Sequence, residues 1–155
     1  APWLVELASD HQRNLTASIP PRVTASSQAA SSSAQALTDG DLRTAWEATS
    51  EDENPTVTID FGRPVKADTI ALAHPFAPEE RPGERGRALL VSVSIDGAPP
   101  RLVPMRPESD RRARIELPEP VNLRRIALGF PKIIPSSDGE RGLALGEVQV
   151  LLRAR

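Results

Sequence analysis

Residues 55–72 read PTVTIDFGRPVKADTIAL. Val57, Ile59 and Phe61 alternate with Thr58 and Asp60 until Gly62-Arg63-Pro64 interrupts, and Ile70 and Leu72 resume the same period of two ahead of His74-Pro75. A period of two sends successive side chains to opposite faces of an extended chain, so each half predicts a strand buried on one side. The signature recurs along the chain. Val91, Val93 and Ile95 alternate before an Asp-Gly turn, Arg101 to Met105 makes a short partner, and Ile115 with Leu117 precedes Pro118-Glu119-Pro120. Ile126, Leu128 and Phe130 form another segment, Val148 with Val150 closes the chain, and residues 21–26 (PRVTAS) supply a weaker strand near the start. Sixteen prolines and nine glycines punctuate these segments, and the one stretch compatible with a longer helix is Trp3 to Leu15. Eight short strands without intervening helices predict an all-β fold, an eight-stranded antiparallel jelly-roll β-sandwich, over a parallel α/β sheet.

Composition narrows the function classes. A chain of 155 residues fits one domain with an ordinary core. Its 19 basic and 21 acidic side chains leave a net charge of −2, so no global field draws in nucleic acid or an anionic membrane. Cysteine is absent, which removes disulfides, thiol catalysis and cysteine-bound zinc. No apolar run is long enough to span a membrane and no intact signal peptide is visible, consistent with a mature chain or an excised fragment. The serine-rich segment 26–35 is expected to be a surface loop, because strand signals flank it on both sides. Residues 1–13 are expected to be an N-terminal extension or linker, either an added edge strand or the tail of a preceding domain, with the sandwich running over 14–155.

Between that loop and the strands lies ALTDGDLRTAW, residues 36–46. Its plainest reading is a tight turn in which Asp39 accepts from its own backbone and Gly40 takes positive φ. The stretch also concentrates carboxylate, hydroxyl and turned carbonyl oxygens, the donors a calcium ion needs in numbers of about six to eight. It is not an EF-hand, since the ladder of alternate oxygen ligands and the glutamate at the twelfth position are missing. Trp46, in a chain only 3% aromatic, is expected in the core. Alternation alone puts Glu147 on the outward register of the last strand, beside Gln149.

The ordered set RNLTASIPPRVTASSQ, AQALTDGDLRTAW, PTVTIDFGRPVKADTIAL, LVSVSIDG, ARIELPEPVNLRRIALGF and LGEVQVL resembles the discoidin, or coagulation factor V/VIII C-type, family. Bacterial members of that family are called family 32 carbohydrate-binding modules. The similarity spans about residues 14–152, and the eight-stranded jelly roll it implies matches the strands read from periodicity. It implies a structural calcium site with the Asp39 carboxylate, the main-chain carbonyls of Ala36 and Asp41, Thr44, the Gly146 carbonyl and the Glu147 carboxylate as ligands. Such an ion would tie the first long loop to the last strand.

Sugar-binding members of the family present loops at one end of the sandwich, with an aromatic side chain against the sugar ring and histidine, arginine or asparagine on its hydroxyls. The histidine that follows the loop tryptophan in galactose binders is Glu47 here, and the place of their arginine falls at Phe76, so the galactose signature is absent. The candidate ligand surface is Glu47, directly after Trp46, with His74, Phe76, Arg81 and Arg85 from the loop 74–87 and Phe130 and Lys132 from the loop 130–142. The arginines of the first loop offer guanidinium forks for hydroxyls or a uronate carboxylate, while self-pairing with Glu79, Glu80 and Glu84 is the alternative. Ile133 and Ile134 are expected to be buried, which disfavours membrane insertion. The two histidines, His11 and His74, belong to no nucleophile, zinc or phosphate-loop motif, and no Gly-x-Ser-x-Gly elbow occurs. The expected function is a non-catalytic glycan-recognition module of a larger, extracytoplasmic, bacterial protein, its partners a glycan or cell-surface polysaccharide and the parent protein's other domains. The competing expectation is an interdomain spacer or protein-docking sandwich without a sugar ligand.

Overall fold

The structure is a computed structural model describing residues 12–30, 32–41, 43–75, 84–105 and 113–153. Nine strands follow in chain order: β1 (Gln12–Asn14), β2 (Arg22–Ala25), β3 (Trp46–Glu47), β4 (Thr56–Ala73), β5 (Arg87–Ile95), β6 (Arg101–Pro104), β7 (Ala113–Ile134), β8 (Ala144–Leu145) and β9 (Glu147–Arg153). A helical turn at Leu15–Ser18 and a 3-10 helix at Ala34–Thr38 are the only helices among the described residues. Every strand pairing is antiparallel. The all-β sandwich expected from the alternation is the fold.

Two pairs of expected strands turn out to be continuous. β4 contains both halves of the opening stretch, and β7 joins the Ile115 and Ile126 segments. Gly62 carries the first interruption at φ +74, its N–H donating to Asp60 Oδ1 at 2.7 Å, and the β4–β7 register shifts between Asp60 and Val65 and again between Ala67 and Thr69. Pro118 and Pro120 fall in the register gap between the Ala67–Val121 and Thr69–Glu116 pairs, where a missing N–H costs the ladder nothing. The interruptions are therefore bends within long strands, where a bulge re-aims the chain.

β4 and β7 run through one seven-stranded sheet, ordered β1-β9-β4-β7-β5-β6 with β2 also on β4, and β3 with β8 forms a second, two-stranded sheet. On one side of the bends residues 57–60 of β4 pair with β2 and residues 126–129 of β7 with β5, while beyond them residues 69–73 of β4 pair with β9. In the core Leu37, Trp46, Ile59, Ile70, Leu72, Leu123, Ile126, Leu128 and Phe130 are fully buried. At about 1.5–3 kcal/mol for each large apolar side chain removed from water, this layer supplies the main drive for folding. Trp46 is core as expected: its Nε1–H donates to Ser27 O at 2.9 Å and its ring lies 6.5 Å from that of Phe130.

Gln12 and Arg13, placed in the extension by sequence, pair with Arg153 and Leu152, so the sandwich begins inside that stretch; residues 1–11 lie outside the described residues. Segment 26–35 runs along the surface and is tied down, with Ala29 N–H donating to Glu47 O at 2.8 Å and Ala34 buried. The expected loop 130–142 is strand as far as Ile134; of the two isoleucines expected to be buried, Ile133 packs partly buried against the core while Ile134, next along the strand and so on its other face, is 41% exposed.

Candidate functional site

Three remote segments meet at one end of the sandwich. β3 pairs with β8, matching Trp46 to Leu145 and Glu47 to Ala144, and Ala48 N–H donates to Leu143 O at 2.8 Å. On the other side Gly86 N–H donates to Gly142 O at 3.0 Å and Ala144 N–H to Gly86 O at 3.1 Å. Only glycine fits at two of these contacts: a Cβ on Gly142 would stand 2.4 Å from Ala48 O, and one on Gly86 2.6 Å from Gly142 O. The close approach places Glu47, Arg85 and Arg141 around one open cleft of about 700 Å³, whose far wall is the 3-10 helix and the loop after it, with Ser32, Gln35, Asp39, Arg43 and Thr44.

Glu47 and Arg141 form the cleft's central pair. Arg141 donates from Nε at 3.1 Å and Nη2 at 2.7 Å to Glu47 Oε1, across 94 residues of sequence. Of the ligand-surface candidates, Glu47 and Arg85 reach the cleft. Phe130 does not. It was expected beside a loop, but it sits inside β7 at 1% exposure, because the strand continues where a loop was expected and the alternation turns its ring inward. Lys132 is exposed on β7 opposite Leu90 and lines no part of the cleft. His74 is largely buried at the end of β4, and its Nε2 accepts from Ala88 N–H at 3.1 Å; burial, with Arg87 nearby, pushes its pKa down to about 4. That ring nitrogen fastens β5 and is spoken for. Phe76 and Arg81 lie outside the described residues. Arg43 and Arg141 are cleft side chains that sequence reasoning missed, and no local pattern connects Arg141 to Glu47.

The loop 36–44 abuts the cleft and collects oxygens. Asp39 Oδ1 accepts from Asp41 N–H at 2.9 Å and Gly40 has φ +78, which is the Asp-Gly turn expected of this sequence. The same turn brings Asp39 Oδ2 and Asp41 O onto one hydroxyl, that of Thr44, which lies 2.9 Å from the Asp41 carbonyl. Ala36 O faces the turn, accepting from Asp39 N–H at 3.4 Å. The Asp41 carboxylate points away and binds Arg43, whose hydrogen bond holds its pKa below the ordinary value.

Glu147 corrects the outward register read from alternation. It is 3% exposed, and its Oε1 accepts from Gly40 N–H at 3.3 Å, 107 residues back in the chain. Gly146 shapes that approach: its N–H donates to Ala73 O at 2.8 Å, and a Cβ there would stand 2.7 Å from Pro75 Cα. Among the described residues no three His, Cys, Asp or Glu side chains gather as a metal cluster. A cation here would rely on two carboxylates with hydroxyl and main-chain oxygens, and a buried carboxylate turned onto an oxygen-rich loop suits a hard divalent ion.

The sequence model of the F5/8 type C domain matches residues 22–145. No curated protein sequence matches significantly. Among solved structures, the family 32 carbohydrate-binding module of Clostridium perfringens NanJ, in complex with galactose, superimposes with a TM-score of 0.69 at 16% identity, covering 90% of this chain and 98% of that one. Chitosan-binding module 1 of the chitosanase/glucanase from Paenibacillus sp. IK-5 gives a TM-score of 0.65 at 17% identity over 89% and 98% of the two chains. A structure of two such modules with the M60 catalytic domain of C. perfringens ZmpB gives 0.71 at 14% identity, covering 96% of this chain and 16% of that one. At such identities the likeness establishes the fold.

Proposed function

Since the chain belongs to the F5/8 type C domain family, we propose that it is a non-catalytic glycan-recognition module of a larger extracytoplasmic protein, braced by a structural calcium ion. One observation carries the reading: the open cleft at the end of the sandwich where Glu47, Arg85 and Arg141 converge. Saccharides expose hydroxyls in all directions, and a shallow cleft offering guanidinium and carboxylate groups meets them with directional bonds. Glu47 is already clasped by Arg141, an arrangement that presents a fixed donor–acceptor pair. A spacer or docking face would instead expose a contiguous apolar patch. The neighbouring structures support the assignment, including modules joined to a catalytic domain in one chain. Weak single-site affinity suits such a part, because avidity accrues when several modules engage one polymer. No helix among the described residues is long and apolar enough to cross a membrane.

The calcium ion would be held by the Asp39 and Glu147 carboxylates, the Ala36, Asp41 and Gly146 carbonyls and Thr44. Two carboxylates balance its charge. When bound it supplies cross-linking and no chemistry, joining residues far apart in sequence and so favouring the folded state.

A glycan array followed by calorimetry on each hit tests the function. Binding lost on Glu47→Ala with an unchanged melting temperature supports it. A blank array together with tight binding to another domain of the parent protein would replace it with docking.

A further inference from the structure

The charged side chains of the cleft carry a more specific message, one that rests on the glycan-binding reading. Three guanidiniums, Arg43, Arg85 and Arg141, line it with two carboxylates, Asp39 and Glu47, and the Asp41 carboxylate is bound to Arg43. All three carboxylates are engaged. Glu47 Oε1 receives Arg141, and Asp39 receives the Thr44 hydroxyl and the Asp41 N–H.

Two of the arginines are fastened in the same way. Arg141 binds Glu47 through Nε and Nη2, and Arg43 binds Asp41 through Nε at 3.1 Å and Nη2 at 3.4 Å. Side-on clamping uses two of the five N–H donors of each guanidinium and leaves the terminal Nη1/Nη2 edge outside those bonds. That edge is the fork that matches the two oxygens of a carboxylate or sulfate. Arg141, whose partner Glu47 is only 15% exposed, is held by its clamp and loses little freedom when it binds, so more of each bond appears as affinity. Arg85, its Nε buried, brings a third guanidinium to the cleft wall.

Among the described residues the rest of the wall is serine, glutamine, threonine and alanine, so an uncharged saccharide group held there relies on hydrogen bonds in open competition with water, whereas a charged one also meets the guanidiniums. We infer that the cleft is built for an acidic saccharide, whose carboxylate or sulfate oxygens are received by the end-on forks of Arg141 and Arg43 beside Arg85.

Calorimetry on the full chain with a galacturonate oligosaccharide and its fully methyl-esterified form isolates the charge, because esterification keeps the ring and hydroxyls. Chondroitin sulfate serves as the sulfated probe. Binding to either acidic probe is expected, weakened at least about tenfold by esterification of the first and by raising NaCl from about 50 mM to about 500 mM. Arg141→Gln and Arg43→Gln are each expected to weaken binding of the acid about tenfold and binding of the ester by clearly less, and an equal loss for acid and ester counts against the acidic class. Arg43 is 82% exposed, so its variant keeps the fold even if loss of Arg141 unsettles Glu47, and equal melting temperatures verify this. Equal affinity for acid and ester, or binding of neutral glycans alone, overturns the acidic class and leaves the glycan module intact. Failure of every glycan overturns both, and binding to phosphatidylserine vesicles in place of the oligosaccharides overturns the saccharide assignment in favour of a membrane surface.

Discussion

Replacing Glu147 with glutamine separates the proposed cation from the rest of the fold. Glutamine has nearly the same volume and keeps an oxygen to accept from Gly40 N–H, so the 3.3 Å bond that spans 107 residues survives and only the charge is lost. Without a cation, that charge sits at 3% exposure where water solvates it poorly, and removing it is expected to leave the melting temperature unchanged or raise it. With calcium at about a hundredfold its Kd, an ion that binds only the folded state stabilises it by about 2.7 kcal/mol. For a domain of this size each kcal/mol moves Tm by about 2–4 °C, so the natural protein is expected to melt about 5–10 °C higher in calcium than in chelator. The variant, with one of two carboxylate ligands neutral, is expected to gain less than half of that. Scanning calorimetry of both proteins, metal-stripped and calcium-loaded, reads all four temperatures. Equal Tm for the natural protein in the two buffers, or an undiminished calcium response in the variant, would refute the reasoning.

The remaining predictions concern the scaffold around the cleft. His74 has a folded pKa of about 4 against an ordinary value of 6.5, so the unfolded chain binds the extra proton between these values; stability is present above the upper value and lost as pH falls toward the lower. Urea denaturation at pH 7 and pH 5 is expected to show a loss on the order of 2 kcal/mol, largely absent in His74→Gln, and equal slopes for both proteins would count against it. Phe130→Leu is expected to lower stability by about 1–2 kcal/mol while leaving glycan affinity unchanged, because the ring packs on Trp46 and does not face the cleft; a large change in Kd at unchanged stability would return Phe130 to the ligand surface. Arg153→Ala removes the cation at 3.1 Å from fully buried Asp68, and its N–H donor to Leu117 O as well, with an expected loss of about 3 kcal/mol in chemical denaturation. A loss below about 1 kcal/mol would show that solvent reaches the pair.

The alternation at Val57, Ile59 and Phe61 and at Ile70 and Leu72 was legible because strand periodicity is local: two neighbours on either side decide which face a residue takes. The Asp39-Gly40 turn was legible for the same reason, since its hydrogen bond closes within two residues. Stops were less so. Gly62-Arg63-Pro64 and Pro118-Glu119-Pro120 carry the chemistry of turns, and nothing local shows that the strand resumes on the far side in a new register. Periodicity also misled at Glu147, where alternation predicts exposure but the first long loop folds over that strand and covers the carboxylate.

From sequence alone came an antiparallel sandwich, its core faces and an oxygen-rich loop, all consequences of contacts between near neighbours. Tertiary structure alone decided that Glu47 meets Arg141, that Glu147 reaches Gly40, and that Phe130 turns into the core. Those outcomes depend on which strands pair and where two long strands bend, and pairings across about a hundred residues are selected by the packing of the whole core, for which no short stretch of chain holds the information.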